Sequence, residues 1–153
     1  MKTAYIELNT TNQIRALTSQ QDKPSFLYKG IVFYPNTTVT SLPEILHKNY
    51  QYFIVDMGVL NTYTTTEFLC CNKQFLVCSP SKWRSVQINE KIEKTFKNQE
   101  TNCIQLIMNL SEEKKSVSIF SEWSAQISFP YISNPFHLEP SHFHAISLLL
   151  KNL

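Results

Sequence analysis

Three stretches of this chain are apolar on both faces of an extended backbone: Tyr52–Val55, Gln74–Cys78 and Ile104–Met108. A strand with one wet face alternates apolar and polar residues, whereas one that is apolar throughout must be covered on both sides. Between these runs lie polar segments with helical spacing. The clearest is Pro80–Asn98, where Ile88, Ile92 and Phe96 recur every four residues and Glu90–Lys94 and Glu93–Lys97 pair on the outer face. Covered strands separated by helices predict an α/β fold in three layers, a mostly parallel sheet with helices on both faces. Functional groups in such a sheet gather at the carboxyl ends of the strands. That rim would hold Asn9, Asp56, Ser79-Pro80, Asn109 and the loop Tyr131–Phe136.

Further elements fit the same scheme. Thr3–Leu8 alternates as a strand, and Ile31–Tyr34 is a short one closed by Pro35-Asn36. Ser41 is placed to cap a helix over Leu42–Lys48, with Glu44 three residues on as a capping box. Thr64–Leu69 reads as a helix weakened by its threonines. Ile127–Ile132 reads as a strand interrupted by Pro130, and Pro140–Leu150 as a last helix carrying Phe143, Ile146, Leu149 and Leu150. With 153 residues and no linker, repeat or low-complexity stretch, one domain over 1–153 is expected.

Composition excludes several functions. Only two glycines occur, Gly30 and Gly58. A phosphate-wrapping loop needs several, so that successive backbone N–H groups turn inward without Cβ clashes. A dinucleotide fingerprint needs three glycines in six residues, and a nucleophile elbow needs two around its serine. Net charge is +2 and no basic run exceeds Lys114-Lys115, which gives no footprint for nucleic acid. No apolar run approaches the roughly 20 residues that span a bilayer, and no signal peptide is recognisable, so stable membrane insertion is not expected and the cytoplasm is. Cys70, Cys71, Cys78 and Cys103 match no zinc or redox spacing and read as reduced thiols, three of them in or beside apolar runs. His137, His142, His144 and Glu139 are the densest group of metal-ligand types, but residues 142 and 144 lie about 200° apart on a helix and cannot share a face. No metal site is expected.

In their order along the chain the motifs resemble the MinD/ParA branch of P-loop ATPases, including its TadZ and CpaE relatives. YQYFIVDMG resembles the Walker B strand of that family, with Phe53–Asp56 and Gly58 at the matching places. KTAYIELN resembles the strand after the family's first helix, and FLVCSPSKW the strand after Walker B. IQLIMN resembles the strand whose terminal asparagine, here Asn109, faces adenine. FPYISNPFHL resembles the following segment, where Pro130 would line the base. The resemblance implies a P-loop NTPase-like fold from which the first strand and the glycine-rich Walker A loop are missing. In the resembling fold that strand lies beside the Walker B strand. Its loss would either let Tyr52–Val55 close directly on Gln74–Cys78 or leave an edge that another chain fills.

Each candidate carries a structural alternative. Asp56 is a Walker B-like carboxylate or a strand-end aspartate capping its own turn. Asn109 and Pro130 line an adenine pocket or serve as a cap and an edge-strand proline. Lys82, Trp83 and Arg84 form a partner-contact hot spot, or Trp83 packs under the helix it precedes while the two cations stay solvated. The segment Ser141–Leu153 reads as a core helix rather than a membrane anchor. No catalytic constellation emerges. The expected function is that of a non-catalytic MinD/ParA-like regulatory or localisation protein in bacterial cell division, partition or pilus assembly. It would act through a protein partner or a homodimer, with no required cofactor and at most weak ATP or ADP binding. The alternative is a fragment of a working ATPase whose Walker A segment lies upstream.

Overall fold

The computed structural model describes residues 2–20, 23–61, 63–78, 82–96, 104–110, 126–130, 132 and 136–150. They fall into two compact units, Met1–Thr64 and Thr65–Leu153.

The first unit is a four-stranded sheet in the order β2-β3-β1-β4. Its strands are β1 (Thr3–Glu7), β2 (Phe26–Tyr28), β3 (Ile31–Tyr34) and β4 (Tyr52–Asp56). β1 lies between β3 and β4 and runs parallel to both, with Tyr5 opposite Phe33 on one side and Ile54 on the other. β2 turns back antiparallel onto β3. The turn is Lys29-Gly30, both left-handed at φ 46° and 83°. Two consecutive positive φ values make a hairpin turn whose twist suits its strands.

Alternation along β1 divides the core. Ala4 and Ile6 face one way and join Leu8, Tyr34, Leu42 and Ile45 in an apolar cluster, with Val32, Tyr50, Phe53 and Val55 around it. Leu42 and Ile45 come from the short helix α2 (Leu42–Leu46), which covers this side. Each fully buried aliphatic side chain contributes roughly 1.5–3 kcal/mol. The opposite side is aromatic. Phe33 stacks on Phe26 at 5.6 Å between ring centroids and meets Tyr5 at 5.4 Å. Ile14 and Thr18 of helix α1 (Gln13–Thr18) are also buried.

β4 ends this sheet. The Leu8 N–H reaches the Asp56 carbonyl, so alternation turns the peptide groups of Tyr52, Ile54 and Asp56 toward β1. Those of Phe53 and Val55 turn outward to an edge that no described strand covers. Tyr52 and Ile54 remain 55% and 51% exposed.

The second unit has three parallel strands in the order β5-β6-β7: β5 (Gln74–Cys78), β6 (Ile104–Leu110) and β7 (Gln126–Pro130). Helix α3 (Thr65–Leu69) is closed by the Gln74 amide, which donates to the carbonyls of Leu69 and Cys71. Helix α4 (Lys82–Thr95) buries Ile92, and Phe96 just past its end is buried too, with Ile88 half-buried, as the four-residue spacing predicts. Helix α5 (Pro140–Leu150) buries His142 and Ala145 and half-buries Ile146 and Leu149, but leaves Phe143 and Leu150 exposed, contrary to expectation for those two.

Both sheets are mostly parallel and carry helices, the architecture expected of an α/β fold. Three details differ. The elements α1 and β2 were not anticipated. The Ser41 capping box does not form, since Ser41 Oγ donates back to the Thr38 carbonyl. The ladders do not include direct closure of β4 on β5; each is an end strand among the described residues.

Candidate functional site

Because β1, β3 and β4 are parallel, their carboxyl ends share one rim. Register alone sets Glu7 of β1 opposite Asp56 of β4. The loop after β1 brings Asn9, Thr11 and Asn12 over the same edge, and the turn after β3 brings Asn36. Asn12 and Asn36 both adopt left-handed conformations, at φ 56° and 50°, and their side-chain amides hydrogen-bond to each other. Asparagine tolerates this region because its short polar side chain bonds locally.

Glu7 is fully buried. Its Oε1 accepts the backbone N–H of Gln13 at 2.9 Å and of Ile14 at 3.4 Å, and the Thr11 hydroxyl at 3.2 Å. Its Oε2 accepts the Asn36 N–H at 3.4 Å. Gln13 and Ile14 open α1, whose N-cap residue Asn12 makes no side-chain cap. Glu7 therefore caps that helix from a neighbouring strand, satisfying amide donors that the helix itself leaves open.

Asp56 is held from two directions. Oδ2 accepts the Tyr5 hydroxyl at 2.8 Å, and Oδ1 accepts the Gly58 N–H at 2.9 Å in a turn of its own chain. The Asn9 amide donates to the Asp56 carbonyl at 3.2 Å. Burial pushes the Tyr5 phenol far above its ordinary range; the hydrogen bond to Asp56 and the charges of Asp56 and Glu7 push the same way. Tyr5 is thus a fixed donor. Gly58 needs its φ of 67°, and a Cβ there would sit 3.0 Å from Asn9 Cβ. The turn that Asp56 caps is also packed directly on Asn9.

Of the sequence candidates, Asp56, Gly58 and Asn9 therefore meet in the first unit. Asn109 and Pro130 lie in the second, on neighbouring strands. Asn109 is opposite Phe129, and the half-buried Pro130 is opposite Leu110 at the end of β7. Lys82, Trp83 and Arg84 form the first turn of α4; Ser79-Pro80 and most of the Tyr131–Phe136 loop lie outside the described residues. His142 is a capping residue, accepting the Glu139 N–H on Nδ1 at 3.0 Å while its own N–H donates to the Glu139 carbonyl. No cluster of metal-ligating side chains occurs among the described residues, and no helix among them is long and apolar enough to cross a membrane. Sequence reasoning missed Tyr5 and Glu7. The signal available was alternation: residues 3, 5 and 7 share a face, so Glu7 had to be buried beside the aromatic cluster and needed partners.

No protein-family model matches the sequence, and no curated protein matches it. Solved structures do. A plasmid partition protein from Borrelia burgdorferi superposes with a TM-score of 0.65 at 11% identity, over 99% of this chain and 86% of the other. A putative plasmid partition protein from Borrelia burgdorferi B31 bound to AMPPNP gives 0.63 at 12% identity, with the same coverage. A ParA family ATPase from Chlorobium tepidum TLS gives 0.58 at 16% identity, over 98% of this chain and 78% of that one. The class is thereby defined as the α/β fold of P-loop NTPases. More narrowly, the chain has the MinD/ParA-like fold of plasmid partition proteins.

Proposed function

We propose that this chain is a MinD/ParA-like protein that works by protein–protein contact in the cytoplasm, as a regulatory or localisation partner, and does not hydrolyse a nucleotide. The observation that carries the reading is the open edge of β4. A largely apolar strand that no described strand covers on one side, with outward peptide groups at Phe53 and Val55 and exposed Tyr52 and Ile54, is a template for another strand. Nothing on it blunts pairing: there is no proline, lysine or bulge. The rim supports the same reading. Both oxygens of Asp56 and both of Glu7 already hold donors of their own chain. Two glycines in 153 residues leave no phosphate cradle within this sequence. We assign the β4 edge to a homodimer contact. The second reading, a piece of a working ATPase whose Walker A segment lies upstream, draws on that same edge, which a strand of the same polypeptide would equally fill.

Calorimetric titration with ATP, ADP and Mg²⁺, together with a light-scattering mass, tests the proposal. The expected result is no nucleotide binding tighter than roughly 100 μM, about −5.5 kcal/mol, and a mass of twice the 17.8 kDa chain that falls to the monomer in Ile54→Lys. Magnesium-dependent ATP binding tighter than that limit would overturn the non-catalytic reading. A monomer at all concentrations would overturn the dimer.

A further inference from the structure

The far end of the first sheet carries a second site. Four residue steps of about 3.3 Å along β1 separate Thr3 from Glu7, so it lies roughly 13 Å from the carboxyl rim. There a cleft of about 400 Å³ opens between the start of β1, the β2–β3 hairpin and the segment after α2. Its walls differ in character. On one side Leu27 and Val32 form a cross-strand pair, and Leu27 is 70% exposed. On the other stand Lys2, Lys48 and Tyr50. Gly30 also lines the cleft, and a Cβ added there would meet nothing within 4 Å.

The cations are arranged. Lys48 Nζ donates to the Tyr34 hydroxyl at 3.2 Å and lies 4.8 Å from the centre of that ring. The Tyr34 hydroxyl in turn lies 2.8 Å from the Tyr50 hydroxyl. Burial and the Tyr34 contact push the Tyr50 phenol up, while the charges of Lys48 and Lys2 act in the opposite direction. No Asp or Glu lines the cleft, and neither ammonium pairs with a carboxylate among the described residues. Two uncompensated cations, a phenol and an exposed apolar pair therefore face one concavity of ligand size.

We propose that this cleft binds a small organic phosphate: a dianionic phosphoryl group on Lys2, Lys48 and the Tyr50 hydroxyl, with an attached ring or hydrocarbon against Leu27 and Val32. Lysine serves as a point charge for phosphate. A dianion matches the two ammoniums better than a carboxylate does, and the apolar pair distinguishes an organic ester from the free ion. The inference is independent of the proposed contact function, since it uses neither the β4 edge nor the carboxyl rim.

The test is titration of the isotope-labelled chain with phenyl phosphate, inorganic phosphate and phenol, followed by amide chemical shifts. Phenyl phosphate should give saturable shifts at Gly30 and Asn49, with none at Asn9, and a Kd of roughly 1 mM or below, as expected for exposed ion pairs aided by apolar contact. Inorganic phosphate should bind about fivefold more weakly, and the double variant Lys2→Met, Lys48→Met about tenfold more weakly. Raising the salt to 0.5 M should weaken wild-type binding similarly, a measurement that does not depend on a variant folding. Equal affinity for inorganic and phenyl phosphate would overturn the organic-ester assignment. Binding of phenol as tight as phenyl phosphate, or insensitivity to both salt and the double variant, would overturn the anion site, as would no saturable shift at 10 mM.

Discussion

Glu7 is expected to be a structural carboxylate, and the sizes of its contacts can be tested. Of its four donors, only the Ile14 N–H makes a fully buried bond; the Gln13 and Asn36 bonds are partly buried, and the exposed Thr11 can turn to water. Glu7→Ala would orphan the Ile14 amide, which costs about 1–3 kcal/mol, and would lose about 1 kcal/mol of capping at Gln13. The net expectation is roughly 2–4 kcal/mol. Glu7→Gln keeps one oxygen for Gln13 and Ile14 but points an NH₂ at the Asn36 N–H; its cost should be about 1 kcal/mol. Urea unfolding can resolve this in the correct unit. Six of the seven tyrosines lie in residues 1–64, and both tryptophans, Trp83 and Trp123, lie beyond them. The tyrosine transition should move to lower urea in the order wild type, Glu7→Gln, Glu7→Ala. A carboxylate held in place for chemistry usually strains its surroundings, and removing it relieves that strain. A stabilised Glu7→Gln protein, or an alanine variant within 0.5 kcal/mol of wild type, would refute the reasoning.

Tyr5→Phe should change the alkaline limb of stability. The folded phenol is raised above its ordinary value of 10.0, so its contribution is intact below pH 10 and is lost as pH rises beyond it. Tyrosine-detected unfolding from pH 9 to 11 should show a shallower loss in the variant, and an identical slope would count against the Tyr5–Asp56 bond. At the glycines, Gly58→Ala meets both a positive φ and Asn9 Cβ at 3.0 Å, whereas Gly30→Ala meets only the positive φ. Urea midpoints should rank Gly58→Ala as the more damaging, with Gly30→Ala costing about 1–2 kcal/mol; the reverse order would contradict the packing of Asn9 on that turn. Thiol labelling should proceed in the order Cys70, Cys71, Cys78, because Cys70 is exposed and burial raises the other two thiols. Mass spectrometry of partly alkylated chain checks it, and early labelling at Cys78 would show the end of β5 to be open.

What the sequence made legible follows from where the determining contacts lie. Tyr52–Asp56, Gln74–Cys78 and Ile104–Leu110 could be read as strands because short runs rich in β-branched and aromatic residues favour an extended backbone, but the expected cover on both faces does not hold where Tyr52, Ile54 and Val77 stay exposed. Helix α4 could be read because Ile88, Ile92 and Phe96 carry its period. Gln13–Thr18 could not, because its N-terminus is capped by Glu7, six residues away in another element, and not by its own Asn12. Nor could Phe26–Tyr28, three residues long, which exists through pairing with β3. The Ser41-Glu44 pattern suggested a box whose serine in fact bonds to Thr38, a local competitor that pattern matching does not weigh. Strand order was hidden, since alternation gives faces and not neighbours. At the rim, Asp56 and Asn9 were legible as strand-end polar residues. The partners that define their chemistry, Tyr5 and the Gly58 amide, depend on register.

The arrangement of that rim bears on the proposal that this chain acts by contact. Each carboxylate oxygen can accept more than one donor, so what weighs against ligand chemistry here is how firmly the present partners fix the group. At Asp56 a neutral, strongly held phenol occupies one oxygen and a backbone amide the other, while Asn9 pins the carbonyl behind them. Glu7 is still further committed, because its donors open a helix. Freeing either group for a ligand would release a structural contact of the first unit. The β4 edge is the opposite case. Among the described residues no strand pairs with its outward peptide groups at Phe53 and Val55, and the exposed Tyr52 and Ile54 add little to the core. A new strand could pair there without displacing a described strand. The commitments of Asp56 and Glu7 and the uncovered side of β4 among the described residues are the grounds on which we propose that this chain acts through its contacts.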